Sequence, residues 1–350
     1  MPMDQLKLFE QPNDYTQHKK YINGVFKSKD DLINDLRNNG KQNIYRVLSF
    51  GGGTQSAHLL EDHLQGKIHY DFIVFADTGA EPQFIHEQVA WWQDRQKQFN
   101  NRTPFIIATH NSMEGGLEEM LHRYILTDYQ RFQMPVYCNT INEDGQEVKA
   151  GIMPRQCTVD FKIVPVKQAV RRAVLGRLNR TTKQKMPDNI AFVIDIGFSY
   201  DEINRISLQQ SPQFKYIYLA YPLVEQGLTT QDSIKFLQDN QLPEKRSRCY
   251  FCPFNCDKPE IGMDWAEIIH EEPLSFLKAC YFDTMLRNVV LNGGKRIKSI
   301  PYFHYSRRPL AEVYAAEYSY YFRQYESELS KWIGEWLDKI EQKYGQLIPV

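Results

Sequence analysis

The stretch IYRVLSFGGGTQSAHLLEDHL, residues 44–64, contains the pattern that decides the fold. Its opening residues, 44–50, are mostly apolar and predict a short buried strand. Three consecutive glycines follow at 51–53, and the next residues have the apolar spacing of a helix. A glycine turn between a buried strand and a helix is typical of the first β-α unit of a parallel sheet.

The same alternation continues along the chain. We expect three further strands, at residues 72–76 (FIVFA), 105–109 (FIIAT) and 191–196 (AFVIDI). Helical patterns at residues 84–99 and 164–178 stand between them. Short apolar strands that alternate with helices predict an α/β fold, a parallel sheet with helices on both faces.

Three segments are predicted from these patterns. Residues 1–43 are polar and form an N-terminal arm or a peripheral helix, and residues 44–220 form the α/β domain. Residues 221–350 form a mainly helical C-terminal part that carries a cysteine cluster and ends in a helical stretch at 309–344. Within the α/β domain, residues 112–154 lack a regular pattern and predict an irregular insertion at the strand ends.

Composition excludes several classes of protein. The 350 residues contain 42 Lys and Arg against 43 Asp and Glu, so the chain has no overall basic coat for nucleic acid. No apolar run reaches the ~20 residues of a membrane span, and the N-terminus has no apolar secretory signal. We therefore expect a cytoplasmic protein whose six cysteines are metal ligands or reactive thiols rather than disulfides.

The glycine loop is a candidate phosphate site. Consecutive glycines let the backbone approach a ligand closely, and the N-terminus of the following helix supplies N–H donors and a positive dipole end. The alternative is a tight strand-to-helix turn without a ligand. The loop lacks the Lys of a Walker motif, which disfavours an ATPase of that type.

The loop resembles the PP-loop, S-G-G-x-D-S, of the N-type ATP pyrophosphatases and the sulfonucleotide (PAPS) reductases. The matching residues follow in order: Gly51, Gly52, Gly53, Thr54, Gln55 and Ser56. Gly51 replaces the leading Ser, although Ser49 lies two residues earlier, and Gln55 replaces the Asp. Because backbone N–H groups supply most donors of such a loop, the resemblance still implies a nucleotide site.

Four further segments resemble the same superfamily in the expected order. They are Asp77-Thr78-Gly79, RQCT with FKIVP at 155–165, GFSYDEINR at 197–205, and YPLVE at 221–225 followed by CYFCP at 249–253. The set is most similar to the bacterial and phage PAPS reductase-like, adenine nucleotide α-hydrolase branch. That branch borders the sulfur-insertion enzymes for tRNA and DNA.

The resemblance implies roles for individual residues. ATP would place its phosphates on the glycine loop and its base near Asp77, Thr78 and Gly79, and Lys162 of the 155–165 signature is assigned to the same nucleotide. Asp77, Asp201 and Glu202 are candidate Mg²⁺ or substrate ligands, with Arg205 on phosphate. The alternative for Asp201 and Glu202 is a capped turn that begins a helix.

Three cysteines lie within eight residues, Cys249, Cys252 and Cys256. Paired thiols of this spacing suit zinc or an iron–sulfur cluster, and Cys157 is the candidate fourth ligand. A [4Fe–4S] cluster is favoured, with Zn²⁺ as the alternative. If three thiols bind a cluster, one iron stays open, and such an iron carries sulfur in sulfur-inserting relatives. The opposing interpretation is a loop of reduced, packed thiols.

Two stretches are purely basic. Residues 162–185 contain eight Lys or Arg and residues 287–308 contain six, and neither stretch contains an acid. They favour a phosphate-rich partner such as tRNA or DNA, and the alternative is a solvated helix face.

Together these features predict an ATP-dependent enzyme that adenylates a substrate with release of pyrophosphate. Modification of a nucleobase or nucleic acid, for example by sulfur insertion, is the favoured reaction, with a sulfur donor or a partner subunit. A sulfonucleotide reductase is an alternative, although no cysteine follows Cys280 to act as its C-terminal nucleophile. A nucleotide-binding subunit without catalysis, in a modification or defence system, is the third possibility.

Overall fold

A computed structural model describes residues 14–22, 26–206, 208–258, 262–293 and 295–348. The strands, numbered along the chain, are β1 (Asn43–Phe50), β2 (Phe72–Ala76), β3 (Phe105–Ala108), β4 (Tyr137–Ile141), β5 (Glu147–Ile152), β6 (Ile190–Ile196), β7 (Ile217–Ala220), β8 (Asp257–Lys258), β9 (Gly262–Met263) and β10 (Ile300–Tyr302). The helices are α1 (Lys19–Ile22), α2 (Lys29–Asn38), α3 (Thr54–Leu64), α4 (Gln83–Gln98), α5 (Gly116–Leu126), α6 (Val164–Arg177), α7 (Pro222–Glu225), α8 (Thr230–Asp239), α9 (Asp264–Glu271), α10 (Pro273–Leu291), α11 (Leu310–Val313) and α12 (Ala315–Tyr344).

The chain divides into two compact units whose segments alternate along the sequence. The first unit comprises the described residues of Met1–Phe75, Glu87–Ile107 and Val166–Ser247. The second unit comprises Ala76–His86, Ala108–Pro165 and Arg248–Val350, again for the described residues. The sequence analysis predicted three consecutive segments, whereas this grouping alternates along the chain. The predicted boundaries at residues 43 and 220 stay a prediction.

A five-stranded parallel sheet forms the centre of the first unit, in the order β3-β2-β1-β6-β7. The four strands expected from the sequence are all present, and the α/β prediction is confirmed. Val47 of β1 lies opposite Phe72 of β2 and Ile194 of β6, and all three side chains are buried. Burial on both faces explains why these strands are continuous apolar runs.

The strand order reverses beside β1. The chain runs outward from β1 to β2 and β3, and then returns to place β6 on the opposite side of β1. Ligands of open α/β sheets bind at such a switch point, outside the carboxyl ends of the strands. The loops that leave β1 and β6 therefore occupy the expected position for a site.

The predicted N-terminal arm contains a helix that contributes to the core of the first unit. Ser28 caps α2 by accepting a hydrogen bond from the Asp31 amide. Leu32 and Leu36, two buried residues of α2, cluster with Val193 of β6. Residues 1–13 and 23–25 of the arm lie outside the described residues.

The prediction that residues 112–154 are irregular is wrong. They contain α5 and the antiparallel hairpin β4–β5, to which β10 adds a third strand. The helix forms because Leu117, Leu121 and Tyr124 recur at helical spacing and are buried. Gly115 and Gly116, at the start of α5, obscure this helical spacing in the sequence. The turn at Gly145 connects the two strands of the hairpin.

Helices α5, α9, α10 and α12 surround the core of the second unit. Phe276 and Phe282 of α10 are fully buried, and Trp336 of α12 packs into the same cluster. The predicted helical stretch at 309–344 is confirmed as α11 and α12. No helix among the described residues is long and apolar enough to cross a membrane.

Candidate functional site

The glycine loop connects β1 to α3 through a tight local network. Ser49 lies near the end of β1, opposite Val74 and Ile196 in the flanking strands. The Gly51 amide donates to Ser56 Oγ at 3.1 Å, and that hydroxyl donates to the Gly53 carbonyl at 2.9 Å. The first four N–H groups of an α-helix have no intrahelical acceptor, so the loop and the start of α3 offer donors to an anion.

Two backbone segments of the first unit pack directly on this loop. A Cβ at Gly53 would lie 2.9 Å from the Ser247 nitrogen, and one at Gly197 would lie 3.0 Å from the Ser56 nitrogen. Gly52 has φ +72°, which glycine adopts without strain. The loop conformation therefore depends on glycine at three positions. Gln88 adds a further restraint, since its side-chain amide donates to the Gly52 carbonyl.

Gln55 connects the loop to the segment that follows β6. Its Nε2 donates to Glu202 Oε2 and to Thr230 Oγ1, each at 3.3 Å. The hydroxyls of Ser199 and Thr230 lie 2.9 Å apart beside this contact. Gln55 thus binds the Glu202 carboxylate through a neutral amide.

Asp201 has a structural role in the first unit. It accepts hydrogen bonds from the Thr230 amide at 2.9 Å and from the Thr230 hydroxyl at 2.8 Å, at the first turn of α8. Partial burial disfavours its charge, but hydrogen bonds from Ser199 and Thr230 hold the pKa of Asp201 below its ordinary value. Asp201 thus contacts the first turn of α8, a helix from a different part of the chain, and both its catalytic role and the capped-turn alternative stay predictions.

Arg205 forms an ion pair with Glu202 within the 3-10 turn Tyr200–Arg205. Its guanidinium also lies 4.3 Å from the centre of the Phe198 ring, and its side chain is 52% exposed. A half-exposed cation next to a carboxylate can exchange that partner for phosphate at a small cost. Contact between Arg205 and phosphate stays a prediction.

The Asp77-Thr78-Gly79 segment belongs to the second unit and forms a hydrogen-bonded turn. The Gly79 amide donates to Asp77 Oδ1 at 2.8 Å. The amide and hydroxyl of Thr78 both donate to Glu81 Oε2, at 2.9 and 2.7 Å. The Leu117 amide of α5 donates to the Thr78 carbonyl at 2.7 Å, so α5 holds the turn in place.

Lys162 lies at the end of a π-helical turn, Val159–Ile163, in the second unit. Its Nζ is 3.7 Å from Glu81 Oε1. Burial opposes its charge, but Glu81 and Cys249 raise the pKa of Lys162 above its ordinary value. The ammonium group is thus paired with the Glu81 carboxylate, and its assignment to a nucleotide stays a prediction.

The four predicted cysteine ligands all belong to the second unit. Cys249 Sγ lies 3.5 Å from the Thr78 hydroxyl, and burial raises the pKa of Cys249 well above its ordinary value. Burial also raises the pKa of Cys252 above its ordinary value. Cys256 donates to the Gly262 carbonyl at 3.3 Å.

The spacing of the cysteine sulfurs limits which metal group they can bind. Three thiolates on one zinc, with Zn–S bonds of about 2.3 Å, would place the sulfurs roughly 4 Å apart. Among the described residues, no three ligand groups that include a cysteine lie within 4.8 Å of one another. A [4Fe–4S] cluster needs wider spacing, and both the cluster and Zn²⁺ stay predictions. All six cysteines are free of disulfides.

A different group of metal-type ligands forms beside Thr78. Asp77, Glu81 and His86 each offer one ligand atom, and these atoms lie within 4.8 Å of one another. Sequence reasoning identified Asp77 and missed the other two. The sequence does contain a pattern that could have indicated this group: two carboxylates and an imidazole lie within ten residues after a predicted strand.

Several cations of the two basic stretches have structural partners. Arg287 pairs with Asp283 at 2.8 Å and is largely buried, and Lys295 donates to the Thr127 carbonyl. Arg171 donates to the Thr182 and Gln184 carbonyls at 2.7 Å. These contacts assign part of each stretch to the fold, and a tRNA or DNA partner stays a prediction.

Glu225 ends the YPLVE segment in the first unit. Its two oxygens accept hydrogen bonds from the Lys29 amide at 3.1 and 3.0 Å. Burial raises the pKa of Glu225 to about 7, and the nearby Asp195 carboxylate adds to the increase. Below about pH 7 the folded chain therefore prefers the protonated form of this carboxyl.

This preference predicts a pH dependence of stability. Between pH 4.5, the ordinary pKa, and about 7, the folded state retains a proton that the unfolded state has released, so the free energy of unfolding falls as pH rises. We expect Glu225→Gln to remove about 3 kcal/mol of this decline. Urea denaturation of both proteins from pH 4.5 to 8 measures it; parallel curves would contradict the prediction.

No protein-family model matches this chain, and no curated protein matches it. The PP-loop resemblance therefore rests on the sequence motifs alone.

Proposed function

We propose that the chain is an ATP-using enzyme of the PP-loop type that adenylates a substrate and releases pyrophosphate. The main support is the glycine loop after β1, on which the Gly197 backbone after β6 packs at the switch point of the sheet. That position, a loop without side chains and a helix N-terminus are the features that a polyphosphate requires.

In this proposal the first unit binds and orients the phosphates. N–H groups of Gly52, Gly53 and Thr54 neutralise the charge that develops on the phosphoryl oxygens. Mg²⁺, when bound, supplies further neutralisation, and Glu202 is the loop-side carboxylate that can hold it. Arg205, released from Glu202, binds a phosphate oxygen.

The reaction is a substitution at the α-phosphorus. A substrate oxygen forms a bond to that phosphorus, and the bond to the β-phosphate oxygen breaks, so that pyrophosphate leaves and an adenylated substrate remains. A second nucleophile, with sulfur favoured, then displaces AMP. We propose a nucleobase of RNA or DNA as acceptor, in a cytoplasmic setting where the cysteines of the second unit stay reduced.

The test uses the full chain with ATP labelled at the α-phosphorus, Mg²⁺, and either bulk tRNA or duplex DNA. We expect pyrophosphate release that depends on the acceptor, together with transfer of labelled AMP to it. ATP binding is measured separately by displacement of a fluorescent ATP analogue. Absence of both binding and pyrophosphate release would overturn the proposal.

One observation favours the non-catalytic alternative. The PP-loop aspartate is replaced by Gln55, whose amide is hydrogen-bonded to Glu202. An amide cannot contribute the negative charge that a carboxylate offers to Mg²⁺. Tight ATP binding without turnover by any acceptor would therefore identify a nucleotide-binding subunit, and gain of turnover in Gln55→Asp would locate the cause.

A further inference from the structure

We propose that Asp77, Glu81 and His86 bind one divalent transition-metal cation, at a site built within the second unit alone. Their ligand atoms lie within 4.8 Å of one another, so one cation can contact all three after small side-chain rotations. The inference does not depend on ATP binding by the glycine loop.

One short segment supplies the whole site. Asp77 is the first residue after β2, and His86 lies in the first turn of α4. The Phe84 amide donates to Glu272 Oε1 at 2.9 Å, which fixes the start of α4. The ligands therefore come from a turn and a helix end that other parts of the second unit hold in place.

Glu81 provides an independent indication of a ligand. Its side chain is fully buried, and its Oε1 has no hydrogen-bond partner among the described residues. The Lys162 Nζ lies 3.7 Å away, which is an ion-pair distance too long for a hydrogen bond. A buried carboxylate oxygen with an unused lone pair is costly, and a bound cation would satisfy it.

The second carboxylate oxygen of Glu81 is already fixed. Thr78 donates to Oε2 through both its amide and its hydroxyl, so the orientation of the Glu81 carboxylate is set before any cation binds. Hydrogen bonds of this kind orient the ligands of known metal sites. Asp77 is oriented in the same way by the Gly79 amide.

The donor set determines the class of cation. Mg²⁺ and Ca²⁺ prefer oxygen ligands throughout, whereas imidazole suits transition metals. Two carboxylates with one imidazole are therefore suited to Mn²⁺ or Fe²⁺. Mn²⁺ is the better probe because thiolates bind it weakly, so the cysteines of the second unit do not compete.

The experiment titrates Mn²⁺ into the full chain without nucleotide and follows free Mn²⁺ by electron paramagnetic resonance. We expect one bound Mn²⁺ per chain, and an affinity reduced at least about tenfold in His86→Ala and in Asp77→Asn. Glu81→Gln is expected to have the same effect; the circular dichroism of each variant verifies that it is folded.

His69→Ala is the matched control, because His69 is a largely exposed histidine in the first unit and is expected to leave the affinity unchanged. Absence of Mn²⁺ binding by the wild-type chain would overturn the proposal, as would wild-type affinity in both His86→Ala and Asp77→Asn. Because ATP is omitted, either failure leaves the proposed function of the glycine loop untouched.

Discussion

If the glycine loop binds ATP as proposed, replacing Gly53 by Ala is expected to weaken that binding about 100-fold, which corresponds to the loss of one hydrogen bond to a charged group. The added Cβ would lie 2.9 Å from the Ser247 nitrogen and 3.1 Å from the Ser247 Cβ. Neither atom belongs to the end of a flexible side chain, so the backbone of the loop or of the Ser247 segment must move. A shifted loop would no longer direct its N–H groups at the proposed phosphate position.

Gly51→Ala is the matched variant for this experiment. A Cβ at Gly51 has the Ser56 hydroxyl as its nearest neighbour at 3.7 Å, an ordinary contact, and the loss of affinity is expected to be much smaller. Displacement of a fluorescent ATP analogue measures both variants, with circular dichroism to verify folding. Equal affinities for the two variants would contradict a phosphate site at Gly53.

The largest effect on stability is expected for Gly116→Ala, which should lower the free energy of unfolding by about 4 kcal/mol. Gly116 has φ +62°, where a Cβ is strained, and that Cβ would lie 1.9 Å from the Thr78 carbonyl oxygen. Backbone on both sides must separate to accept the methyl group. The Thr78 turn and the start of α5 would lose their contact.

Gly334→Ala is the control for this measurement. Gly334 lies inside α12 in the same unit, and a Cβ there meets nothing within 4 Å. The higher helix propensity of Ala should raise the free energy of unfolding by about 0.5–1 kcal/mol. Urea denaturation measures both variants; a Gly116→Ala protein as stable as Gly334→Ala would show that the predicted clash is absent.

The sheet was predictable because its signals are local. Residues 44–50 and 72–76 are apolar runs next to a glycine turn or a helical pattern, and burial on both faces requires that composition. Strand β7 was missed because Ile217–Ala220 is four residues long and stands outside the rhythm of the earlier strands. The α5 helix was missed because the composition of residues 112–154 hid its spacing.

The glycine loop was predictable for the same reason, since its residues are consecutive. The surroundings of Glu81 were not predictable, because they come from distant positions in the sequence. Lys162 pairs with Glu81, and Cys249 contacts Thr78, which is hydrogen-bonded to Glu81. Burial of Glu81 and the unused lone pair of its Oε1 are products of tertiary packing. No residue pattern specifies them.

The alternation of the two units has a consequence for synthesis on the ribosome. The chain passes from one unit to the other five times, so neither unit is complete until late in translation. Ala80, for example, leaves the ribosome long before Tyr250, whose amide it binds through its carbonyl at 2.9 Å. Early segments of the second unit therefore expose apolar surface until the later segments that cover it have been synthesised. Chaperones protect nascent chains in this state from aggregation.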